Sequence, residues 1–278
     1  MIIWLASYPK SGNTWLRMFL RAYFLSEDKK FSINDEGDAE YETNTFPNIE
    51  ILKKNKIDYD KFEEIVKNWL ELQKSINLNN KINFLKTHNG NFNINGFPFT
   101  NTENTAGGIY IVRDPRDVAL SLSNHFNISH QEAVDNMKNM QHYEFYDVNL
   151  SKGFKMTIMG NWSSNYNSWR YYQSRDIHLV KYEDMIKEPT NTFYKILKYI
   201  KLFKSFDLDE KKIKNAIETT SFKNLSKMEN EKGFKEFGSE SNFFRKGKVG
   251  DWQKSLEPRL TKEIENNFKK EMKELGYI

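Results

Sequence analysis

The sequence contains no cysteine among its 278 residues. This absence excludes disulfide bonds, thiolate catalysis, iron–sulfur clusters and zinc sites with cysteine ligands, and it is compatible with a reducing cytosol. No stretch approaches the ~20 apolar residues that a membrane-spanning helix needs. The apolar residues 1–8 lack a basic region and end at Pro9, too early for a secretory signal peptide. The sequence therefore predicts a cytoplasmic protein with no membrane span.

The excess of positive charge is small, with 42 Lys and Arg against 38 Asp and Glu, a formal net charge of +4. It argues against a nucleic-acid partner held by bulk charge, but a local basic patch can still bind a small anion. With 38% hydrophobic and 15% aromatic residues, the chain can bury a core. The sequence shows no linker and no internal repeat, and one domain over residues 1–278 is expected.

Predicted strands alternate with predicted helices. Four short apolar runs predict buried strands at residues 2–6, 82–85, 108–112 and 177–180. Helical periodicity predicts helices over residues 13–25, 60–74, 117–126, 162–174, 190–200, 210–219 and 260–275. Asn- and Gly-rich stretches predict loops at residues 30–50, 89–107 and 227–243. The alternation favours an α/β fold, a single three-layer domain with a central parallel sheet.

Polar residues follow all four predicted strands, at residues 7–15, 86–88, 113–117 and 181–184. Ligands of parallel sheets bind outside the carboxyl ends of the strands. Cations, hydroxyls or an imidazole occur at each of these ends. Together they predict a pocket for a polyanion with a base beside it.

The first of these segments predicts an anion-binding turn, a P-loop-like strand–loop–helix nucleotide site. Ser11 and Gly12 let the backbone turn so that N–H groups at the start of the next helix face a phosphate-like group. Lys10 adds a charge and Thr14 a hydroxyl. The segment is not a Walker A motif, because Lys10 precedes the glycine. A solvated turn before a capped helix is the alternative for this loop taken alone.

Two further basic segments suit a second phosphate. Arg113 directly follows the third strand, and Ser121 lies eight residues later, one turn beyond Asp117, the predicted N-cap of the next helix. The alternative is a structural ion pair of Arg113 with Asp114 or Asp117. The second segment, residues 244–252, carries three cations against one carboxylate, a local net charge of +2, and two glycines. Its alternative is a charged surface loop, although the neighbouring aromatic residues indicate that it is anchored to the body.

Residues 8–15, Arg113 with Ser121, and residues 245–252 resemble the three signature regions of the soluble PAPS-dependent sulfotransferases. PAPS is 3′-phosphoadenosine 5′-phosphosulfate. The likeness spans residues 2–276 in the family's order and approximate spacing. It implies transfer of a sulfuryl group from PAPS to a hydroxyl or amine acceptor, with release of 3′-phosphoadenosine 5′-phosphate and no metal requirement.

The resemblance also implies the site residues. Lys10 would assist the leaving oxygen, while Lys86 and His88 match the lysine and the catalytic histidine of a Lys-Thr-His motif. The implied donor-binding residues are Lys10, Ser11, Gly12, Asn13, Thr14, Trp15, Arg113, Ser121, Tyr182, Thr220, Phe222, Arg245, Lys246 and Gly247. Trp15 would stack on the adenine, which Tyr182 would also contact, and Arg113 would take the 3′-phosphate.

A histidine with an ordinary pKa near ~6.5 can remove a hydroxyl proton at neutral pH. A single histidine after a strand is more often structural than catalytic, but three adjacent anion sites favour His88 as a general base. His125 and Phe126 resemble a family segment near the acceptor pocket. Because their spacing from Arg113 is shifted by one residue, no role is assigned to them.

The acceptor is predicted to be a small hydroxylated molecule or a lipid-like alcohol. The segments expected to build the acceptor side are residues 31–50, 89–106, 127–158 and 227–243. Aromatic residues that either line an apolar pocket or pack in the core are Phe92, Phe97, Phe99, Phe126, Tyr143, Phe145 and Tyr146. Asn89 and Gly90 stand where many relatives have an apolar residue and proline, which favours a more mobile loop.

Oligomeric state and two rival functions stay open. Lys254 and Glu263 keep the spacing of a dimer segment of some animal relatives, but Pro258 and Arg259 occupy its Thr-Val positions, so both a monomer and a homodimer are retained. One rival is a P-loop-type small-molecule kinase, which would need magnesium and ATP. The other is a catalytically silent nucleotide-binding module.

Overall fold

A parallel sheet lies at the centre of the fold. The computed structural model describes residues 1–25, 30–34, 44–140, 143–145, 156–172, 175–236 and 242–278. The strands within these ranges are β1 (Ile2–Ser7), β2 (Asn44–Thr45), β3 (Asn83–Thr87), β4 (Asn93–Ile94), β5 (Phe97–Pro98), β6 (Thr105–Val112), β7 (Tyr143–Phe145), β8 (Met156–Ile158) and β9 (Ile177–Lys181).

Five strands form the central sheet in the order β2-β3-β1-β6-β9, and each neighbouring pair is parallel. The register places Ala6 opposite Thr87 and Ser7 opposite Ile111. The residues that follow β1, β3 and β6 therefore emerge side by side at one edge of the sheet. The short pairs β4-β5 and β7-β8 are antiparallel.

Helices cover both faces of this sheet. Those of the described residues are α1 (Asn13–Phe24), α2 (Ile49–Lys54), α3 (Phe62–Lys67), α4 (Trp69–Asn77), α5 (Pro115–Phe126), α6 (His130–Lys138), α7 (Trp162–Arg170), α8 (Tyr182–Lys187), α9 (Pro189–Ile200), α10 (Glu210–Thr219), α11 (Phe222–Lys232), α12 (Trp252–Ser255), α13 (Pro258–Asn267) and α14 (Lys269–Glu274). Within the ranges described, no helix is both long and apolar enough to cross a membrane.

The two faces of β1 build two separate cores. Trp4 packs on one side with Trp69 of α4 and Trp169 of α7. Leu5 packs on the other side with side chains of α1 and α9. Every residue of β1 is buried, which is typical of a parallel strand covered by helices on both sides and explains its uninterrupted apolar sequence. The predicted three-layer α/β fold is confirmed.

Several boundaries differ from the prediction. The helix predicted over residues 60–74 is divided at Asn68, and the one over residues 260–275 is divided at Phe268. The loop predicted over residues 227–243 begins with the last turns of α11. The loop predicted over residues 89–107 ends inside β6. Amphipathic spacing continues across a local break in backbone hydrogen bonding, and for this reason periodicity alone did not reveal these breaks.

Candidate active site

The loop between β1 and α1 turns sharply at Gly12, whose φ is 104°. A Cβ at this position would lie 2.5 Å from Cδ2 of Tyr182, so both the backbone angle and the close ring require glycine. Gly12 precedes α1 and offers no side chain to cap it. The N–H groups of the first turn, with the positive end of the helix dipole, therefore suit an anion.

Three buried polar atoms around this loop have no hydrogen-bond partner among the described residues. They are Oγ of Ser11, Nε1 of Trp15 and Nε of Arg113. A buried donor left without a partner costs about 1–3 kcal/mol. All three residues belong to the predicted donor site, and a polar ligand there would satisfy such atoms. The local chemistry thus fits a phosphorylated nucleotide.

Arg113 connects the three basic segments. Its Nη1 donates to the carbonyl oxygen of Lys10 at 3.1 Å, and its Nη2 donates to that of Lys248 at 3.1 Å. The guanidinium also lies 4.5 Å from the ring centre of Tyr182. The ion pair with Asp114 is made instead by Arg116, at 2.7 Å. The β1–α1 loop, the end of β6 and residues 244–252, hereafter the late glycine loop, therefore meet at one side chain.

The prediction that Asp117 caps α5 is wrong. The helix begins at Pro115, and Asp114 is its N-cap, accepting a hydrogen bond from Arg116 N at 2.9 Å. Proline favours the first helical position because it has no N–H to satisfy there. Asp117 instead accepts hydrogen bonds from Gly250 N at 2.7 Å and Trp252 N at 3.0 Å. Burial raises the pKa of the Asp117 carboxyl, while these hydrogen bonds oppose that rise.

The late glycine loop packs against the start of α11. A Cβ at Gly247 would lie 2.3 Å from Cδ2 of Phe222, and the φ of Gly247 is 58°. Phe244 is buried, which anchors the loop to the body. Lys246 pairs with Asp251 at 2.6 Å. This loop and Phe222, both assigned to the nucleotide site, are therefore adjacent.

The remaining predicted donor residues lie on different elements, with Trp15 on α1, Ser121 on α5, Thr220 directly after α10 and Arg245 in the late glycine loop. Ser121 is half-buried on α5, and Arg245 is exposed. Thr220 is fully buried, with its hydroxyl donating to the carbonyl oxygen of Ala216 at 2.7 Å. Trp15 packs edge-on against Tyr182, with ring centres 6.3 Å apart.

His88 follows β3 and is held in one orientation. Its Nδ1 lies 2.8 Å from the carbonyl oxygen of Ser7. Because a carbonyl oxygen can only accept, Nδ1 carries the proton and Nε2 of the neutral ring keeps its lone pair. The backbone oxygen of His88 accepts a hydrogen bond from Asn165 at 3.0 Å. A neutral ring that is fixed in orientation and keeps a lone pair on Nε2 is the arrangement that a general base requires.

Burial and the positive charge of Lys86 lower the pKa of His88 to about 3, with smaller effects from Arg17 and Lys10. The imidazole is therefore neutral at physiological pH. A second histidine, His125 at the end of α5, has its pKa lowered to about 3 by burial and by Lys10. Each of the two imidazole rings is therefore neutral and lies near a positively charged lysine, Lys86 for His88 and Lys10 for His125.

His125 contacts Lys10, which the sequence did not reveal. Nζ of Lys10 lies 3.2 Å from Nδ1 of His125 and 4.1 Å from the ring centre of Phe243. Because the ammonium can only donate, Nδ1 of His125 accepts. The sequence signal was the His125-Phe126 pair, but its shifted spacing hid the contact.

Asn13 and Arg17 lie on the inner face of α1. Asn13 Nδ2 donates to the carbonyl oxygen of Leu5 at 2.8 Å and lies 3.3 Å from Oγ of Ser7. The Asn13 amide therefore points toward the sheet and the Ser7–His88 contact. Arg17 donates through Nε to Oδ1 of Asn13 at 3.1 Å. No sequence motif assigned a role to Arg17, although its spacing of four residues from Asn13 places both on one face of the helix.

Four of the seven aromatic residues proposed for the acceptor pocket have described side chains. Phe99 is fully buried against Trp4 and Trp69, so it belongs to the core. Phe92 lies against Gly90, where a Cβ would approach its ring to 2.2 Å. The partly exposed ones are Phe97 and Phe126. Tyr146 and the side chains of Tyr143 and Phe145 lie outside the described part of the chain.

Comparisons with known proteins agree with this architecture. Residues 2–276 match the sulfotransferase domain family. Flavonol 3-sulfotransferase of Flaveria bidentis is 28% identical over 297 residues, covering 99% of this chain and 83% of that protein. A crystal structure of a mouse sulfotransferase complexed with PAP has a TM-score of 0.59 at 19% identity, with 98% and 84% of the two chains covered. Retinol dehydratase in a complex with retinol and PAP has a TM-score of 0.60 at 18% identity, with 98% and 81% covered.

The two structures show the same fold as this chain, and the family match extends over nearly its whole length. The predicted protein family and the predicted enzyme class, a sulfotransferase, are both confirmed. The chain belongs to the sulfotransferase domain family.

Proposed function

We propose that the protein transfers a sulfuryl group from PAPS to a hydroxyl of a small-molecule acceptor, with His88 as the general base. The observation that carries this proposal is the His88–Ser7 contact, 2.8 Å long, which leaves Nε2 able to accept a proton beside Lys86 and the β1–α1 loop. Structures of relatives with the same fold contain PAP, which supports PAPS as the donor.

Two basic parts of the site would hold the donor, one at the β1–α1 loop and one at Arg113 and the late glycine loop. Lys10 and the N-terminus of α1 suit the 5′-phosphosulfate, and the orphaned Oγ of Ser11 is available to it. Arg113 and the late glycine loop suit the 3′-phosphate, together with Ser121, Arg245 and Lys246. The adenine would lie among the aromatic rings Trp15, Tyr182 and Phe222 next to Thr220.

The donor supplies an electrophilic sulfur atom and a phosphate leaving group. The acceptor oxygen forms a new bond to sulfur while the bond from sulfur to the bridging oxygen breaks, and the hydroxyl proton moves to Nε2 of His88. Lys10 and Lys86 offset the negative charge that develops during transfer. Alignment of the two substrates and this charge compensation account for the catalysis.

The low pKa of His88 depends on the burial of the ring and on the charges around it. Burial and three nearby cations lower it, led by Lys86. A polyanion bound next to Lys10 would offset these positive charges, so the pKa of His88 would rise toward the value of a useful base. Donor binding would thus prepare the base for the acceptor.

A His88→Ala variant tests the proposal. We expect transfer of radioactive sulfate from PAPS to a panel of hydroxylated compounds, flavonols included, to fall at least about 1000-fold, while PAP affinity measured by calorimetry changes less than about twofold. His130→Gln is the matched control, since His130 pairs with Glu257 at 3.0 Å outside this site. A His88→Ala enzyme that keeps a tenth of the wild-type rate would exclude the base assignment.

The same assay distinguishes the rival functions. A small-molecule kinase needs magnesium, so activity with PAPS that survives EDTA excludes it. A silent nucleotide-binding module binds PAP but yields no sulfated product in the panel. A cytoplasmic location and a monomeric or homodimeric state stay predictions, which fractionation and light scattering would check.

A further inference from the structure

Arg17 is a buried cation to which the proposed mechanism gives no role. Its side chain is only 4% exposed. The guanidinium faces a carboxylate in a two-pronged contact, with Nη1 2.8 Å from Oε1 and Nη2 2.8 Å from Oε2 of Glu236. It also donates to Oδ1 of Asn13 and Oγ1 of Thr14. A fork held in this way presents a ready binding surface for a planar anion.

This surface is connected to the proposed base, His88, by a chain of hydrogen bonds. Arg17 reaches His88 through Asn13 and Ser7, whose Oγ lies 3.2 Å from Nδ1 of His88. The charges of Lys86 and Arg17 both add to burial in lowering the pKa of His88. Lys86 lies on β3, two residues before His88, and both cations are therefore close enough to affect the charge of the imidazole.

The position differs from the proposed 3′-phosphate site, and through Asn13 and Thr14 it adjoins the proposed 5′-phosphosulfate site. Arg113 and the late glycine loop contact the β6 side of the β1–α1 loop. Arg17 instead lies on the side of β1 that adjoins β3, where Lys86 and His88 are placed.

Glu236 occupies this surface and is the more exposed partner of the pair. Its side chain is 39% exposed, in contrast to the buried Arg17. Burial would raise its pKa, but the charges of Arg17 and Lys86 lower it to about 2, so the group is a carboxylate at all physiological pH values. Because an unpaired buried guanidinium is costly, Glu236 can move away only if another anion takes its place.

We propose that Arg17 and Lys86 form an anion subsite of the acceptor pocket, filled in this structure by the Glu236 carboxylate, and that the acceptor is a hydroxylated carboxylate whose acid group replaces Glu236. This inference deepens the proposed function and depends on it. It narrows the acceptor from any hydroxylated small molecule to one with an acid group near the hydroxyl.

The test is a binding measurement that does not require turnover. PAP-loaded protein is titrated by calorimetry with 4-hydroxybenzoate and with its neutral counterpart 4-hydroxybenzamide. Glu236→Gln removes the internal competitor and is expected to increase affinity for 4-hydroxybenzoate at least tenfold, while affinity for the amide changes less than twofold. Arg17→Lys in the same background keeps the charge but loses the fork, and is expected to remove most of the gain.

Controls separate this proposal from others. Glu231→Gln, which alters an exposed pair with Lys227 at 3.8 Å, is expected to change neither affinity. Glu236→Asp keeps the charge with a shorter reach and is expected to give an intermediate result. Melting temperatures of all variants establish that they are folded.

If Glu236→Gln changed the affinities for 4-hydroxybenzoate and 4-hydroxybenzamide equally, or changed neither, the anion subsite would be overturned. The Arg17–Glu236 ion pair would then have only a structural role. Loss of PAP affinity in Arg17→Lys would assign Arg17 to the donor and would equally overturn it. The titrations are repeated without PAP. Wild-type protein that binds no PAP would contradict the proposed function, whereas the preference for the acid can still be read from the unloaded protein.

Discussion

The Asp117 carboxylate lies 2.7 Å from the N–H of Gly250, although the two residues are 133 positions apart in the sequence. A second hydrogen bond joins the same carboxylate to Trp252 N at 3.0 Å. Through these contacts, α5 holds the late glycine loop in place. A residue with no assigned contact to the nucleotide thereby fixes the loop that is proposed to bind it.

Asp117→Asn is expected to weaken PAP binding by on the order of tenfold, because each hydrogen bond to a charged acceptor contributes about 1.5–3 kcal/mol and the amide keeps a single acceptor oxygen. Calorimetric titration with PAP measures the change. Asp135→Asn, which alters an exposed pair with Lys138 on α6, is the control. Unchanged PAP affinity in Asp117→Asn would show that the loop does not need this anchor.

Gly12→Ala is expected to lower both the stability and the PAP affinity. The Cβ would enter the Tyr182 ring, and the φ of 104° adds backbone strain, for a total of roughly 3 kcal/mol in the free energy of unfolding. Gly96→Ala isolates the backbone strain, since Gly96 has a φ of 89° with no atom within 4 Å of the added Cβ. Urea unfolding compares the two. Equal losses of unfolding free energy in Gly12→Ala and Gly96→Ala would mean that the Tyr182 ring moves aside at no cost in stability.

Arg113→Lys is expected to weaken PAP binding about 10- to 100-fold, because a lysine ammonium cannot reproduce the planar fork that spans two backbone carbonyls and covers Tyr182. The matched control is Arg175→Lys. Arg175 also donates to two carbonyls, those of Thr105 at 2.9 Å and Thr102 at 2.8 Å, with none of the site contacts. If both variants bound PAP with the wild-type affinity, Arg113 would have only a structural role and would not contribute to PAP binding.

The two histidines with lowered pKa values make stability depend on pH. Burial, reinforced by Lys86 at His88 and by Lys10 at His125, keeps both rings neutral in the folded state down to a pKa of about 3. The unfolded chain binds protons near a pKa of about 6.5, so acidification favours unfolding. The stability of the folded state that depends on these neutral rings is complete above about pH 6.5. It is lost as the pH falls from about 6.5 toward about 3.

Each histidine is expected to remove roughly 2 kcal/mol from the free energy of unfolding on going from pH 8 to pH 5. Urea unfolding at both pH values, without nucleotide, measures this loss. A double variant, His88→Gln with His125→Gln, is expected to show a much smaller loss over the same range. A wild-type stability that is constant over this range would contradict the lowered pKa values.

The sequence predicted the strands of the sheet because their apolar residues are buried on both faces, and uninterrupted apolar runs are a strong signal. It did not predict β2, which has two residues and follows a segment outside the described part of the chain. It also missed α6, whose capping box of Ser129 and Glu132 was present in the sequence but was assigned to the acceptor side.

For the candidate site, motifs predicted which residues belong to it but not how their side chains are paired. Lys10, Arg113 and His88 were identified from the order of strands and from the family resemblance. The contacts Lys10–His125, Asp117–Gly250 and Arg17–Glu236 join residues 115, 133 and 219 positions apart. Long-range pairs of this kind leave no periodic pattern in a single sequence, so only the folded arrangement reveals them.

The guanidinium of Arg113 contacts both the tenth residue of the chain and the 248th. During synthesis on the ribosome, a nascent chain would consequently build most of the sheet long before the proposed nucleotide pocket could close. A truncated translation product that stops short of Lys248 would retain the first strand and its loop, yet it would lack one wall of the pocket and the carbonyl that completes the grip of Arg113.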